Sequence, residues 1–508
     1  MATRFNSESG TARSWIPGFI DKRWLALLLA SGLVFFQAYS YYRVLDLSLG
    51  PRVILQPWLM QQGWIPYQEI ADQHTPLMPL LLSFLVPFFS EGLRLAKIAL
   101  VVLLSITTAL TFWAGKRDGS WWTGVVAVFF VVCWSYVFGF TKLWHESFLA
   151  PLYLLFFILC RPSTEKYSIK ILVVLGMASG IAILVKQHAV LVIAAFVLWN
   201  SWLRWRAQRQ MWQVIFDNAI MGIAMLLPIL LYCVYQYFQA GTLDGFIFWT
   251  LGFSVVSNYA SLAAQPPTLG QIQGIAPAFL LVPAAVVFMI QLKRSGNRHW
   301  EKYGWALVLL VASMLGVYPR FGFFHLQAAL PILAWLSASI LMQALRTAEP
   351  QNNSPLGARS FTLGMTIAVA SVWILVAIAS YQAREPRKIW EYSDLVPLAN
   401  EIREQIGQHD CVYIFPDDEA TANLYYLLQC PPPKFWVFSY PWYMIDPVRQ
   451  RVVLTLKQDS PPWVILPKGR WEIETRAPDI LGFIQDNYQF DSELHWAQGP
   501  VQLLKRKP

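Results

Sequence analysis

The sequence predicts a polytopic α-helical membrane protein with a soluble α/β domain at its C-terminal end. Of its 508 residues, 56% are hydrophobic and only 14% are charged, and the mean hydropathy is +0.42. Many apolar runs are long enough to cross a hydrocarbon core about 30 Å thick. After residue 383 the composition becomes charged and rich in proline. We therefore expect a membrane domain over 1–383 and a soluble domain over 384–508.

The apolar runs predict about eleven membrane-spanning helices, accompanied by outer juxtamembrane helices. The predicted spans lie near 24–42, 95–114, 120–140, 143–160, 169–186, 188–203, 214–238, 275–292, 303–318, 325–345 and 361–381.

The Lys and Arg residues predict the orientation of these spans. Eighteen fall in loops on the side of the N-terminus and seven on the other side of the membrane part. By the positive-inside rule, this bias places the N-terminus in the cytoplasm and the C-terminal domain outside it. The run that opens at Trp24 has no small-residue cleavage site, so it is typical of a signal anchor. We expect the bacterial plasma membrane.

The first outer loop, 43–94, contains a short apolar segment, Leu77–Phe89. Apolar runs of about 10–14 residues are more often interfacial or re-entrant than spanning. Counting this segment as a span would also invert every later loop and reverse the Lys/Arg bias. We therefore expect the segment to lie against the outer leaflet without crossing.

Strand-like and helix-like patterns alternate in the C-terminal domain, which favours a mainly parallel sheet. Strands are predicted at 411–415, 434–438 and 462–466, and helices at 396–407, 420–429 and 446–458. Cys411 and Cys430 both fall in this domain, where an outer compartment would permit a disulfide. Whether the two cysteines pair stays open at this point.

Ionisable residues on the predicted outer side are the functional candidates, because charges at membrane depth are costly to keep. They are Asp46, Glu69, Asp72, His74, Glu91, His145, Glu146, Lys186, His188, Asp244, Arg320 and His325. The Lys, Arg and His residues among them could bind a phosphate group, and the carboxylates could take a proton from an acceptor hydroxyl. Nucleic acid is not an expected partner: residues 384–508 hold 14 Lys/Arg against 17 Asp/Glu, and no basic patch is interleaved with aromatic residues.

The order of motifs in the first outer loop resembles that of GT-C glycosyltransferases. It is most similar to the branch with the protein O-mannosyltransferases and the lipid A aminoarabinose transferase. An acidic residue follows the first span. After it come, in order, a Gly, a Tyr, a second acidic residue and a Pro-Leu step that opens a short helix, and an Arg follows that helix. The matching positions are Asp46, Gly63, Tyr67, Glu69, Pro76-Leu77 and Arg94, followed by Glu146, Lys186-Gln187 and the stretch 318–331. The outer α/β domain also fits that branch.

The resemblance implies inverting transfer of a sugar from a polyprenyl-phosphate donor to an acceptor on the outer face of the membrane. It implies that Asp46 is the catalytic base, with Glu69 as the alternative. The family often has Asp-Glu where this chain has Asp46-Leu47, and many relatives carry Asp at the position of Glu69. The residues expected to bind the donor phosphate or substrate are Lys186, Arg320, His325, Glu146, Asp72, His74 and Tyr67.

The expected partners are a polyprenyl-phosphate sugar, membrane lipid, and an acceptor that is a lipid, a glycan or a protein. No cofactor is expected; a divalent metal stays open, but the residues do not indicate one. Structural roles remain open: Asp46 can cap a helix, Glu69 and Asp72 can be solvated charges, His74 can be a structural hydrogen-bonding group, and Lys186 can extend to the interface. A transporter or flippase of lipid-linked sugars is the alternative function, and a non-catalytic assembly or receptor protein is a third.

Overall fold

A computed structural model describes residues 22–44, 50–88, 92–160, 167–207, 211–347, 356–382, 394–407, 410–418, 421–467 and 473–508. Asp46, Glu91, Phe89 and the predicted boundary at 383–384 lie outside these ranges. The described chain is mostly helical, with a small β-sheet near the C-terminus.

A helix occupies each of the eleven positions at which a span was predicted. These helices are Lys22–Tyr39, Gly92–Asp118, Trp121–Trp134, His145–Leu159, Ile169–Val185, Ala189–Arg206, Met211–Ala240, Val282–Arg294, Trp300–Met314, Leu330–Thr347 and Leu356–Gln382.

The predicted number of eleven crossings is not confirmed. Among the described residues, three helical stretches are long and apolar enough to cross a membrane: Arg23–Arg43, Arg94–Asp118 and Met211–Ala240. The bent pair Leu269–Phe279 and Val282–Arg294 would make a fourth if it is one span.

Short helices lie between the long ones along the chain. They are Ser40–Val44, Leu55–Gln61, Leu77–Leu85, Val86–Phe88, Asp244–Ile247, Phe248–Gly252, Phe253–Val256, Tyr259–Leu262, Leu269–Ile275, Ala276–Phe279, Leu315–Val317 and Phe323–Leu326. The short apolar segment of the first loop is a helix of 9 residues, Leu77–Leu85. At 1.5 Å per residue it is about 14 Å long, roughly half the thickness of a hydrocarbon core.

Two glycines let the helices Ile169–Val185 and Met211–Ala240 pack at close range. A Cβ on Gly176 would lie 2.3 Å from the Met221 carbonyl oxygen, and one on Gly180 would lie 2.2 Å from that of Met225. Small residues spaced by four positions permit such backbone contact between membrane helices. This packing fixes the end of the first helix, where Lys186 follows directly as its C-cap.

The C-terminal region contains the helices Leu395–Ile406, Asn423–Leu428, Asp446–Asp459, Ile473–Arg476 and Pro478–Asn487. Its sheet has four strands, in the spatial order Val412–Ile414, Trp463–Pro467, Gly499–Arg506 and Tyr488–Trp496. Only the first two pair in parallel, and the other two pairings are antiparallel. The expectation of a mainly parallel sheet was therefore wrong, because the last two strands form a hairpin that the sequence pattern did not reveal.

The second predicted strand, 434–438, pairs outside this sheet. Trp436–Val437 runs parallel to Ile70–Ala71 of the first outer loop. Trp58, Trp64 and Tyr67 of that loop share one apolar core with Trp436 and Tyr443. The C-terminal region is thus packed on the outer loop. Within it, Cys411 and Cys430 form a disulfide, with their Cα atoms 5.5 Å apart.

Candidate active site

A cavity of about 270 Å³ lies where the first outer loop meets the ends of several long helices. His74 reaches it from the loop, Lys186 from the end of Ile169–Val185, and Arg320 and His325 from the segment before Leu330–Thr347. Four of the predicted site residues, distant in sequence, therefore line one cavity. Its other polar lining residues are Gln73, Gln187, His188, Thr250, Ser254, Tyr259 and Tyr318.

Glu146 contacts two of the side chains that line this cavity. The carboxylate oxygen Oε1 accepts a hydrogen bond from Lys186 Nζ at 2.5 Å and lies 2.7 Å from His325 Nδ1. All three side chains are almost fully buried. A buried lysine is retained at this depth only with a partner that offsets its desolvation. Glu146 therefore holds a charged ammonium group and an imidazole at the cavity wall.

The carboxylate of Asp72 holds the side chain of His74 in the same way. Its Oδ1 accepts from the His74 backbone N–H at 3.0 Å and lies 2.8 Å from His74 Nδ1. Its Oδ2 accepts from Arg52 Nε at 2.7 Å and from Gln56 Nε2 at 2.8 Å. The guanidinium of Arg52 lies between two aromatic rings, 5.2 Å from the ring centre of Trp144 and 4.6 Å from that of Phe438. Since Nδ1 faces Asp72, the other ring nitrogen of His74 is the one available to the cavity.

Burial and neighbouring charges determine the protonation states of Asp72 and His74. Burial raises the pKa of Asp72, but the positive charge of Arg52 and the hydrogen bonds from His74 and Arg52 outweigh it, so the pKa lies well below its usual range. Burial lowers the pKa of His74, and the positive charge of Arg52 lowers it further, against the opposing effect of Asp72. His74 is therefore a neutral imidazole beside a carboxylate at neutral pH. Its ring stacks on that of His145 at 4.7 Å, which joins this chain of contacts to the helix that carries Glu146.

Arg320 is held differently from the other cations. Its Nε donates to the neutral amide oxygen Oε1 of Gln265 at 2.9 Å. The guanidinium lies 5.7 Å from the ring centre of Trp442 and 6.0 Å from that of Tyr440, both in the C-terminal region. These contacts place a cation at the rim of the cavity. No carboxylate of the described residues forms an ion pair with it, so its charge can attract an anion.

Two other predicted residues, Tyr67 and Glu69, do not line the cavity. The Tyr67 hydroxyl donates to the backbone oxygen of His74 at 2.8 Å and so supports the loop. The Glu69 carboxylate accepts from the backbone N–H of Ile65 at 2.9 Å and from Lys434 Nζ at 3.1 Å. It joins the outer loop to the C-terminal region. Asp46 lies outside the described residues, so its role as base stays a prediction.

Arg52 and Tyr443 were not predicted as parts of the site. The hydroxyl of Tyr443 accepts from the Gln73 backbone N–H at 3.2 Å and donates to Asp72 Oδ1 at 3.4 Å. One signal was available for Arg52: it stands in the apolar stretch 51–59, where a buried arginine requires a partner. No local pattern points to Tyr443, which lies 371 positions from Asp72 in sequence.

Several buried polar atoms near the cavity have no hydrogen-bond partner within the described part of the chain. They are Glu146 Oε2, Gln187 Oε1 and His188 Nδ1. Such atoms are costly unless water or a ligand satisfies them. The same described residues contain no group of three His, Cys, Asp or Glu side chains placed to hold a metal ion. The two unpartnered oxygens accept hydrogen bonds, so they suit donors such as the hydroxyl groups of a ligand or water.

No protein-family model and no curated protein matches this chain. Solved structures do match it. The oligosaccharyltransferase of Archaeoglobus fulgidus aligns with a TM-score of 0.56 and 10% identity, over 94% of this chain and 74% of its own. ArnT from Cupriavidus metallidurans, bound to undecaprenyl phosphate, aligns with a TM-score of 0.56 and 12% identity, over 94% and 97%. The mycobacterial arabinofuranosyltransferase AftD gives a TM-score of 0.51 at 12% identity, over 96% of this chain and 40% of its own.

These solved proteins are membrane glycosyltransferases of the GT-C type. The resemblance predicted from the motifs is thereby confirmed at the level of the fold: this chain has the GT-C fold. At 10–12% identity the comparison carries the fold alone, because one fold can host unrelated activities. What the protein does must be argued from its cavity.

Proposed function

We propose that this protein is an inverting glycosyltransferase that moves a sugar from a polyprenyl-phosphate donor to an acceptor at the outer face of the membrane. The observation that carries the proposal is the convergence of Lys186, Arg320, His325 and His74 on one cavity. The charges in and beside it also favour an anion, since Lys186, Arg52 and Arg320 stand against the two carboxylates Glu146 and Asp72.

In this proposal Arg320 and Lys186 bind the donor phosphate. A guanidinium offers two parallel donors to phosphate oxygens, whereas an ammonium acts as a point charge. The acceptor oxygen attacks the anomeric carbon of the sugar, the bond from that carbon to the phosphate oxygen breaks, and polyprenyl phosphate leaves with the electron pair. The two cations stabilise the negative charge that grows on the phosphate.

The proton of the acceptor hydroxyl needs a base, and Asp46 remains the proposed one. Glu69 is the weaker candidate, because its carboxylate is engaged by Lys434 and the Ile65 backbone away from the cavity lining. A carboxylate base is sufficient, since a phosphate is a good leaving group without an added general acid.

The identity of the donor lipid is supported by the solved proteins of the same fold. ArnT was solved with undecaprenyl phosphate and the Archaeoglobus enzyme AglB with a dolichol phosphate. The disulfide between Cys411 and Cys430 supports the proposed outer location of the C-terminal region, because disulfides persist in oxidising compartments. The sugar and the acceptor, whether lipid, glycan or protein, stay open.

A transfer assay separates this function from lipid flipping. Purified protein in vesicles is incubated with a panel of polyprenyl-phosphate sugars and membrane extracts as acceptors, and released polyprenyl phosphate is measured by mass spectrometry. We expect release with one donor and sugar on an acceptor. Movement of intact donor between leaflets without release would favour the flippase. A Lys457→Ala variant, which removes an exposed cation that does not line the cavity, is the matched control and should behave as the unmodified protein.

A further inference from the structure

A second polar cavity, of about 240 Å³, lies at the opposite end of the helices from the candidate active site. The helix Leu330–Thr347 connects the two. His325, shortly before its first turn, lines the candidate site, and Ser339, Gln343 and Arg346 line the second cavity. This helix has 18 residues, about 27 Å at 1.5 Å per residue, which is close to the thickness of a hydrocarbon core. The two cavities therefore lie near opposite ends of this helix.

The charges around the second cavity favour an anion. The carboxylate of Asp118 in its wall is ion-paired with Lys302, and Arg117 Nε lies 3.9 Å from the same carboxylate. Its negative charge is therefore already offset. Arg346 at the cavity donates from Nη2 to the Gly119 carbonyl oxygen at 3.4 Å, a long contact with a neutral group. The guanidinium thus retains donors for a ligand oxygen.

The surface beside the cavity favours a lipid as the source of that anion. The helix Val282–Arg294 contributes Phe288 and Leu292 to the cavity wall. On the same helix Val287 and Ile290 are exposed, in a segment apolar enough to be part of a membrane span. A headgroup in the cavity could therefore keep its acyl chains against an apolar face. Basic pockets between membrane helices are known to bind the headgroups of anionic lipids.

We propose that this cavity binds the phosphate headgroup of an anionic phospholipid in the leaflet opposite the candidate active site. Arg346 holds the phosphate, and the amide of Gln343 binds a remaining headgroup oxygen. The hydroxyl of Ser339 is already hydrogen-bonded to Tyr303. The site is separate from the donor cavity, so the proposal does not depend on the proposed transfer reaction.

Native mass spectrometry of the purified full-length protein tests the site. The protein is incubated with phosphatidylglycerol or phosphatidylcholine, and the bound lipid is counted. We expect phosphatidylglycerol to bind at least about tenfold more tightly, because its headgroup is anionic whereas that of phosphatidylcholine carries no net charge. Arg346→Gln should weaken the binding of phosphatidylglycerol about tenfold, since a hydrogen bond to a charged group is lost.

Two further variants distinguish a loss of the binding site from a general folding defect. Gln343→Trp fills the cavity without changing charge and should also lose the lipid. Arg294→Gln removes an exposed cation that does not line the cavity and should keep the lipid bound. Equal binding of the two lipids, normal binding in Arg346→Gln or Gln343→Trp, or an equal loss in Arg294→Gln would overturn the proposal. Displacement of the lipid by equimolar glycerol 3-phosphate would assign the cavity to a soluble phosphate and overturn it as well.

Discussion

Each charged side chain of the candidate site has a partner that decides how much of its charge remains for a ligand. Lys186 is paired with the carboxylate of Glu146 and Arg52 with that of Asp72. Arg320 contacts the neutral amide of Gln265. Because an ion pair already compensates the first two, Arg320 is the cation whose charge is most available to an incoming phosphate.

Replacing Arg320 should therefore weaken donor binding directly. We expect Arg320→Ala to raise the Kd for a polyprenyl-phosphate donor about 10–100-fold, the loss of one or two charge-assisted hydrogen bonds. Arg320→Lys should restore little, because an ammonium lacks the bidentate fork. Lipid-binding titration measures both. Arg298→Ala, which removes an exposed cation away from the cavity lining, is the control. An unchanged Kd in Arg320→Ala would remove this residue from the site.

The proposed base is tested by Asp46→Asn. The amide keeps the size and hydrogen-bonding capacity of the carboxylate but cannot accept the proton. We expect turnover to fall by ~10²–10⁴-fold while the donor still binds. A capping role predicts the opposite, because Asn caps a helix as well as Asp does. Turnover close to normal would transfer the role to Glu69, for which Glu69→Gln is the corresponding variant.

The buried His74 should make the stability of the fold depend on pH. Its pKa lies below the ordinary value of 6.5, so at mildly acidic pH the unfolded chain binds a proton that the folded chain does not. Stability is then complete above about pH 6.5 and is lost as the pH falls below it. The melting temperature should drop between pH 7.5 and 5.5. In His74→Gln this drop should be smaller, and an identical profile in both proteins would contradict the neutral buried imidazole.

At the scale of elements, the position of Lys186 depends on how two helices pack. Gly180 lies where a Cβ would be 2.2 Å from the backbone of the neighbouring helix, whereas nothing lies within 4 Å of a Cβ on Gly222. Gly180→Ala should force the helices apart, cost about 1–3 kcal/mol and weaken donor binding through a displaced Lys186. Gly222→Ala should be neutral or slightly stabilising. Thermal unfolding and donor titration of the two variants measure these effects. Equal stability and equal donor affinity in both variants would contradict the close packing of the two helices at Gly180.

The sequence predicted elements better than it predicted their partners. All eleven apolar runs are helices, because continuous hydrophobicity over that length is a local signal. The hairpin Tyr488–Trp496 and Gly499–Arg506 was missed, because its first strand is largely exposed and lacks a buried apolar run. The pairing of Trp436–Val437 with Ile70–Ala71 could not be predicted, because it joins segments more than 360 residues apart. Tyr443 was missed for the same reason. Four charged or titratable lining residues were predicted, namely His74, Lys186, Arg320 and His325.

On the scale of the whole molecule, the C-terminal region helps to build the site. Tyr443 contacts Asp72 and the Gln73 backbone, and Tyr440 and Trp442 lie near Arg320. The membrane helices supply Glu146 and Lys186, and the outer loop supplies His74. The candidate site therefore forms only when three parts of the chain come together. Loss of any one of these parts should therefore disrupt the site.

Photoaffinity labelling tests the central claim, that this cavity binds the donor phosphate, most directly. A polyprenyl phosphate carrying a photoreactive group beside the phosphate is bound to the purified protein, illuminated, and the labelled peptides are mapped by mass spectrometry. We expect adducts within 186–188 and 316–325, and their loss when unlabelled polyprenyl-phosphate sugar competes. Adducts confined to segments that do not line this cavity, or labelling that the competitor leaves unchanged, would contradict the assignment of the site.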